Sequence, residues 1–168
     1  MFRKASKDDV KDLQKLLVSA FAVTYENLYS NRYINKVSEE FYNLDRLTLK
    51  TNGIPSKDWS GYYILEIEGD LVGCIGGGIP EEGLGEIYVL YFKPNLKRRG
   101  YGSILVDEFT KLQQDEYYIT KQRVTAAQGN AMAIPFYEKQ GFAEKEIRAV
   151  LADNEVYYSL VMYRDLNL

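Results

Sequence analysis

Glu86-Ile87-Tyr88-Val89-Leu90-Tyr91-Phe92, followed shortly by Lys97-Arg98-Arg99-Gly100-Tyr101-Gly102-Ser103-Ile104-Leu105, decides how the chain folds. The run Ile87 to Phe92 has the β-branched and aromatic content of a strand. Beyond the basic loop, Ile104, Leu105, Phe109 and Leu112 fall on one helical face. Strand, basic glycine loop and helix in that order make an anion site. The first N–H groups of a helix lack internal partners, and the helix dipole favours negative charge beside them. Gly100 and Gly102 let backbone approach a phosphate with no Cβ in the way, and three adjacent cations add Coulomb attraction. The plainer reading of the same residues is a solvated basic turn that opens a helix. Two familiar phosphate-binding motifs are excluded. No Gly-Lys-Ser/Thr closes the loop, and the dinucleotide fingerprint needs three glycines after an early strand.

With 168 residues the chain suits one domain with a substantial core. Hydrophobic residues at 46% and charged residues at 27% belong to a folded soluble protein rather than a disordered one. No apolar run approaches the ~20 residues that cross a bilayer, so no membrane partner is expected. Charges scattered through residues 1–20 argue against a secretory signal. The lone cysteine, Cys74, excludes an internal disulfide and fits a reducing, cytoplasmic compartment. A net charge of −3 argues against bulk nucleic-acid binding, so the cations at 97–99 serve something local. Histidine is absent, which removes Ser-His-Asp and Cys-His machines and leaves too few good ligands for a zinc site. No metal is expected. General-base work falls to a carboxylate, a tyrosine, a desolvated amine or water.

Outward from the central stretch, Phe2 to Ala5 reads as a first strand, and Ser6 with Asp9 resembles a capping box for a helix carrying Val10, Leu13, Leu16, Leu17, Ala20 and Phe21. Residues 21–36, with Tyr25, Tyr29 and Tyr33, fit helix or loop. A second helix is expected after Ser38, carrying Phe41, Leu44, Leu47 and Leu49 to a stop at Asn52-Gly53-Ile54-Pro55. Strands follow at 62–67 and 71–79 around the Glu68-Gly69-Asp70 turn. The glycines of the second of these strands, Gly73, Gly76, Gly77 and Gly78, imply a close backbone approach or a bulge. After the helix at 101–115 come a strand over 117–126, a helix over 130–140 stopped by Gly141, and a closing hairpin of 143–150 with 156–163. Two strand–helix–strand crossovers among hairpins make a mixed sheet in one α/β domain.

A second motif carries the rest. In Asn130-Ala131-Met132-Ala133-Ile134-Pro135-Phe136-Tyr137-Glu138-Lys139-Gln140-Gly141-Phe142, the residues Asn130, Ala133, Phe136, Tyr137, Gly141 and Phe142 match Asn-x-x-Ala-x-x-Phe-Tyr-x-x-x-Gly-Phe. Together with the 97–102 loop it resembles the GNAT superfamily of acyl-CoA-dependent N-acetyltransferases, whose loop reads Gln/Arg-x-x-Gly-x-Gly/Ala. Lys97 departs from that pattern, keeping the charge and losing the planar group. The resemblance implies one α/β domain over 1–168, with about seven strands, a splayed central pair and about four helices.

It also implies roles. The central strand would bulge at Leu90-Tyr91-Phe92, and Pro94 would stop the ladder. Backbone groups of Leu90 and Phe92, flanking Tyr91, would bond the acetyl carbonyl and the pantetheine of acetyl-CoA. Backbone N–H groups across Arg98, Arg99, Gly100, Tyr101, Gly102 and Ser103 would hold the diphosphate, with the charge of Lys97 in the same cofactor site. Asn130 would bind the pantetheine arm and Lys139 the outer phosphate. Glu86 would serve as general base through water, Leu90 N–H would stabilise the oxyanion, and Tyr137 would protonate the departing thiolate. Glu86 is equally an ordinary strand-edge glutamate, and Tyr137 a core tyrosine. Pro135 requires that its helix begin near Met132 or kink. Cys74 as an acyl carrier lacks a basic neighbour and reads as an inert buried thiol.

The expected acceptor is a primary amine of a small metabolite, with a protein or peptide amine as the alternative. Tyr25, Tyr29, Tyr33, Phe41, Tyr42 and Trp59 line its pocket or serve as ordinary core and surface aromatics. A non-catalytic acyl-CoA sensor is a rival that the pair Glu86 and Tyr137 opposes. A second copy of the chain, giving a homodimer, is a candidate partner.

Overall fold

The computed structural model of the chain describes residues 1–96, 98–152 and 154–167. Seven strands join in one sheet: β1 (Phe2–Lys4), β2 (Gly61–Ile67), β3 (Asp70–Glu81), β4 (Leu84–Phe92), β5 (Lys121–Ala127), β6 (Ala143–Ala152) and β7 (Glu155–Asp165), in the order β1-β2-β3-β4-β5-β7-β6. Every neighbouring pair is antiparallel except β4 and β5. That parallel pair is connected by the long helix α4 (Tyr101–Tyr117), as a parallel connection requires. The chain then leaves β5 through α5 (Ala133–Lys139), runs to the far edge as β6, and folds back as β7 beside β5. Both expected crossovers are present.

The remaining helices are α1 (Val10–Tyr25), α2 (Asn31–Phe41) and α3 (Leu44–Asn52). The helix expected from Phe41 to Leu49 is therefore two helices, which makes five rather than about four among the described residues. Asn43 divides them: its side chain accepts from Arg46 N–H at 2.9 Å and starts α3 afresh. Segment 21–36 is the last turn of α1, a short turn and the start of α2, capped by the Ser30 hydroxyl on Tyr33 N–H. The Ser6–Asp9 capping box forms as expected. Arg3 reaches from β1 to Asp9 at 2.8 Å and to Glu66 at 2.9 Å, tying the start of α1 to the sheet.

Alternation along the strands divides the core between the two faces. Leu13, Leu17, Leu47, Ile64 and Cys74 pack beneath α1, α2 and α3; Ile75, Ile87, Leu105, Phe109, Val124 and Met162 pack beneath α4 and α5. Each buried Leu, Ile or Phe contributes about 1.5–3 kcal/mol, so the two layers are what hold the sheet in register. Among the described residues, no helix is long and apolar enough to cross a membrane.

Two departures from regularity shape the centre of the sheet. Gly76 opposes Val89 while Gly77 opposes Ile87, so Tyr88 is the extra residue of a β-bulge. The bulge was expected at Leu90-Tyr91-Phe92. Those three instead pair regularly with Ile75, Cys74 and Gly73. The slip falls opposite the glycines because only there can the strands approach so closely: a Cβ on Gly77 would lie 1.9 Å from the Glu86 carbonyl oxygen. Beyond the bulge, β4 and β5 part. Their ladder runs only from Leu84↔Lys121 to Ile87↔Val124, although β4 continues to Phe92 and β5 to Ala127.

Candidate functional site

The parting of β4 from β5 leaves backbone groups aimed into a notch. Lys93 N–H donates to Val72 O at 2.9 Å, so it points toward β3. Successive N–H groups along a strand point to opposite edges. Those of Phe92 and Leu90 therefore point away from β3, toward β5, where the ladder has already ended. Pro94 begins a 3₁₀ turn, Pro94–Leu96, and stops β4 from extending. The notch is a half-made strand position.

The first turn of α4 follows, after the loop carrying Arg98, Arg99 and Gly100. Arg98 (φ 63°) and Gly100 (φ 80°) both take left-handed conformations, and no side chain caps the helix. The internal ladder begins only with Ile104 N–H on Gly100 O, at 3.3 Å. Among the described residues, the N–H groups of Tyr101, Gly102 and Ser103 are thus the unpaired donors of a 17-residue helix, with Arg98 and Arg99 exposed beside them. Phe136 of α5 lies against Gly102, where a Cβ would meet its ring at 2.9 Å. Gln140 Nε2 donates to Ser103 Oγ at 2.9 Å, pinning α5 to that turn. Lys139 is exposed at the end of α5. Lys97 lies outside the described residues.

Asn130 is buried between β5 and α5. Its Oδ1 accepts from Met132 N–H at 3.3 Å and Ala133 N–H at 3.0 Å, so it caps α5. Its amide nitrogen has no hydrogen bond among the described residues. Because α5 begins at Ala133, Pro135 sits in the first turn, where its missing N–H costs nothing and no kink arises. Tyr137 is buried between Phe136 and Phe142, with ring centroids 5.3 and 5.6 Å away. Burial raises its pKa, so the phenol keeps its proton.

Glu86 is buried and paired. Arg123, its register neighbour on β5, donates to Glu86 Oε2 at 2.5 Å and to the Tyr163 hydroxyl at 3.3 Å. The carboxylate raises the guanidinium pKa, and Arg123 Nε is buried without a hydrogen-bond partner among the described residues. Glu86 Oε1 accepts no hydrogen bond among the described residues. Nothing in the sequence marked Arg123, because the opposite charge only meets it through parallel pairing. A second polar cluster was also missed. Gln113 Nε2 donates to Gly78 O and Glu86 O, Gln122 Nε2 to Gln113 Oε1 at 2.9 Å, and Arg164 to Gln122 Oε1, Thr110 Oγ1 and Gln140 O. It braces β4, β5 and β7 against α4 and α5. One signal was available: Gln113 continues the apolar stripe of Leu105 and Phe109 at i+4.

The aromatics divide. Tyr25, Tyr29 and Tyr33 gather beside the notch; Tyr91 donates to the Tyr25 hydroxyl at 3.4 Å. Tyr42 is core, Phe41 is exposed beneath Arg46, and Trp59 covers Gly76. Cys74 is fully buried, and burial pushes its pKa up to about 12, so it is no nucleophile at neutral pH.

Comparison with known proteins bears directly on this geometry. An uncharacterized N-acetyltransferase of Methanocaldococcus jannaschii is 23% identical over 151 residues, covering 86% of this chain. The chain spans 61% of the length of that relative. Among solved structures, the PaiA N-acetyltransferase of Thermoplasma acidophilum, in complex with coenzyme A, superposes with a TM-score of 0.81 at 22% identity, covering 99% of this chain and 98% of that one. The ribosomal-protein-alanine N-acetyltransferase of Brucella melitensis does so with a TM-score of 0.67 at 20% identity, covering 99% of each chain. The model of the acetyltransferase (GNAT) family matches residues 20–142, a span that holds the bulged strand, the uncapped α4 terminus and the Asn130–Phe142 motif together. The chain belongs to the acetyltransferase (GNAT) family.

Proposed function

We propose that the protein transfers an acetyl group from acetyl-CoA to the primary amine of a small molecule, by direct attack and without an acyl-enzyme. One observation carries this reading: the Leu90 and Phe92 N–H groups point into a notch that opens beside the uncapped start of α4. Such an arrangement suits a ligand with strand-like amides at one end and a diphosphate at the other. Acetyl-CoA is that ligand, and it supplies an activated thioester carbonyl.

In this reading the backbone of Leu90 and Phe92 completes its hydrogen bonding on the pantetheine amides and the acetyl oxygen. The amides of Tyr101, Gly102 and Ser103, with Arg98 and Arg99, take the diphosphate. Asn130, its oxygen already used as a cap, offers its amide N–H₂ to the pantetheine arm. The role of Lys97 beside the diphosphate and that of Lys139 toward the outer phosphate rest on charge alone.

An alkylamine with a pKa of ~10 is mostly protonated at neutral pH and has no free lone pair. Glu86 removes that proton through water at its unbonded Oε1, while Arg123 fixes the other oxygen. Leu90 N–H stabilises the charge that develops on the acetyl oxygen, worth about 10²–10³ in rate for one donor. Tyr137, held neutral by burial, returns a proton to the departing sulfur. The sealed thiol of Cys74 supports attack in one step.

The test is acetyl-CoA consumption across a panel of small primary amines and short peptides, beside thermal stabilisation by coenzyme A. Turnover of small amines, with stabilisation of about 2.7 kcal/mol at ~100 times Kd, is expected. Turnover of peptides alone would favour the alternative that the Brucella enzyme's name suggests. Stabilisation with no turnover of any amine would make the chain an acyl-CoA sensor.

A further inference from the structure

A row of side chains crosses the sheet just before β4 and β5 part. Glu86 of β4 pairs in register with Arg123 of β5, and Arg123 with Tyr163 of β7, so alternation puts all three on one face. Within that row the guanidinium is shared between two partners. Nη2 donates to Glu86 Oε2 at 2.5 Å, and Nη1 donates to the Tyr163 hydroxyl at 3.3 Å. Nε is left buried with no hydrogen-bond partner among the described residues. That arrangement is costly, because an arginine fork placed side-on to a carboxylate satisfies Nε and Nη2 together, one on each oxygen. Arg3 shows the fuller use of the same group. Its Nη1 and Nη2 take both oxygens of Asp9, and its Nε bonds Glu66. What Arg123 forgoes is Glu86 Oε1, which accepts no hydrogen bond among the described residues.

We infer that Tyr163 is a positioning residue for acetyl transfer: its hydroxyl holds the Arg123 fork off Glu86 Oε1, keeping that oxygen open for the water that takes the amine's proton. The inference rests on the acetyl-transfer reading above and deepens it by naming what keeps the base free. Tyr163 acts through Arg123 and not on the reacting atoms. Without its hydroxyl, Nη1 loses this acceptor, and nothing holds the fork back from a turn that brings Nε onto Oε1. Both carboxylate oxygens are then occupied, and Glu86 becomes a weaker and obstructed base. Tyr163→Phe removes the hydroxyl alone. The ring, whose centroid lies 5.9 Å from Arg123 Cζ, is kept, and its packing with it.

The test is Tyr163→Phe, read by two measurements on the full chain. In protein carrying isotope-labelled arginine, the NMR signal of Arg123 Nε–H is assigned by its loss in Arg123→Lys. That signal is expected to move downfield in Tyr163→Phe, as Nε–H bonds the carboxylate. With n-butylamine as acceptor, kcat is expected to fall about tenfold or more while KM for acetyl-CoA stays unchanged. The same substitution placed on Glu86→Gln should change kcat by less than about twofold, because the residue it acts through is gone. An unmoved Nε–H signal or an unchanged kcat would overturn the inference, as would an equal fall of kcat in the Glu86→Gln background. Coenzyme A binding without turnover of any amine in wild type would overturn the transfer reading itself, and this inference with it.

Discussion

Arg123→Met is expected to destabilise the fold by about 3–5 kcal/mol, because it leaves the Glu86 carboxylate buried without a partner. The pair is well enclosed, with side-chain exposures of 13% for Arg123 and 9% for Glu86, so water cannot take over cheaply. For a chain of this size, each kcal/mol corresponds to roughly 2–4 °C in Tm, giving a fall on the order of 10 °C by thermal denaturation. Adding Glu86→Gln to that variant removes the unpaired charge and should recover more than half of the loss. A Tm within about 2 °C of wild type for Arg123→Met would show that the pair contributes little. Glu86→Gln alone separates structure from chemistry. If Glu86 is the base, turnover falls most at low pH, where few amines are already deprotonated, and recovers as pH rises toward the amine's own pKa of ~10.

Tyr137→Phe should lower kcat by about 10²–10³ while leaving the fold intact. The ring keeps its contacts with Phe136 and Phe142, so Tm changes little, and stabilisation by coenzyme A persists because Asn130 and the first turn of α4 are untouched. The sign of its pKa shift fixes the pH behaviour. Burial disfavours the phenolate and moves the pKa above the ordinary 10.0, so the acid form is present throughout the neutral range. The wild-type kcat should therefore show no decline from this group until pH rises well beyond that value. An unchanged kcat in Tyr137→Phe would remove the residue from the chemistry and leave it a core aromatic.

Much of this was legible in the chain because it depends on local pattern. The strand at Ile87–Phe92, the helix after Gly100 and the Asn130–Phe142 motif each announce themselves within a dozen residues, and their order fixes the parallel β4–β5 pair. What stayed hidden depends on pairing across the sheet. The bulge sits at Tyr88 rather than three residues on, because its position is set by which glycines of β3 lie opposite, and register is not written in β4 alone. Arg123 looked like one charge among many until parallel pairing put it beside Glu86. Residues 21–52 misled for another reason: Leu44 and Leu47 continue the spacing from Phe41, and only the Asn43 cap breaks the helix. The tyrosines at 25, 29 and 33 have helical spacing, yet Tyr157, the ring that Tyr29 and Tyr33 pack against, lies more than 100 residues later.

The central claim is that the free N–H groups of a parted strand and of an uncapped helix together hold one coenzyme. Amide NMR of the labelled protein during titration with coenzyme A tests it most directly. The Leu90, Phe92, Tyr101, Gly102 and Ser103 resonances should shift together with a single saturating affinity, while Phe2 to Lys4 on the far edge stay still. Saturable binding that moves none of those five amides would contradict the account.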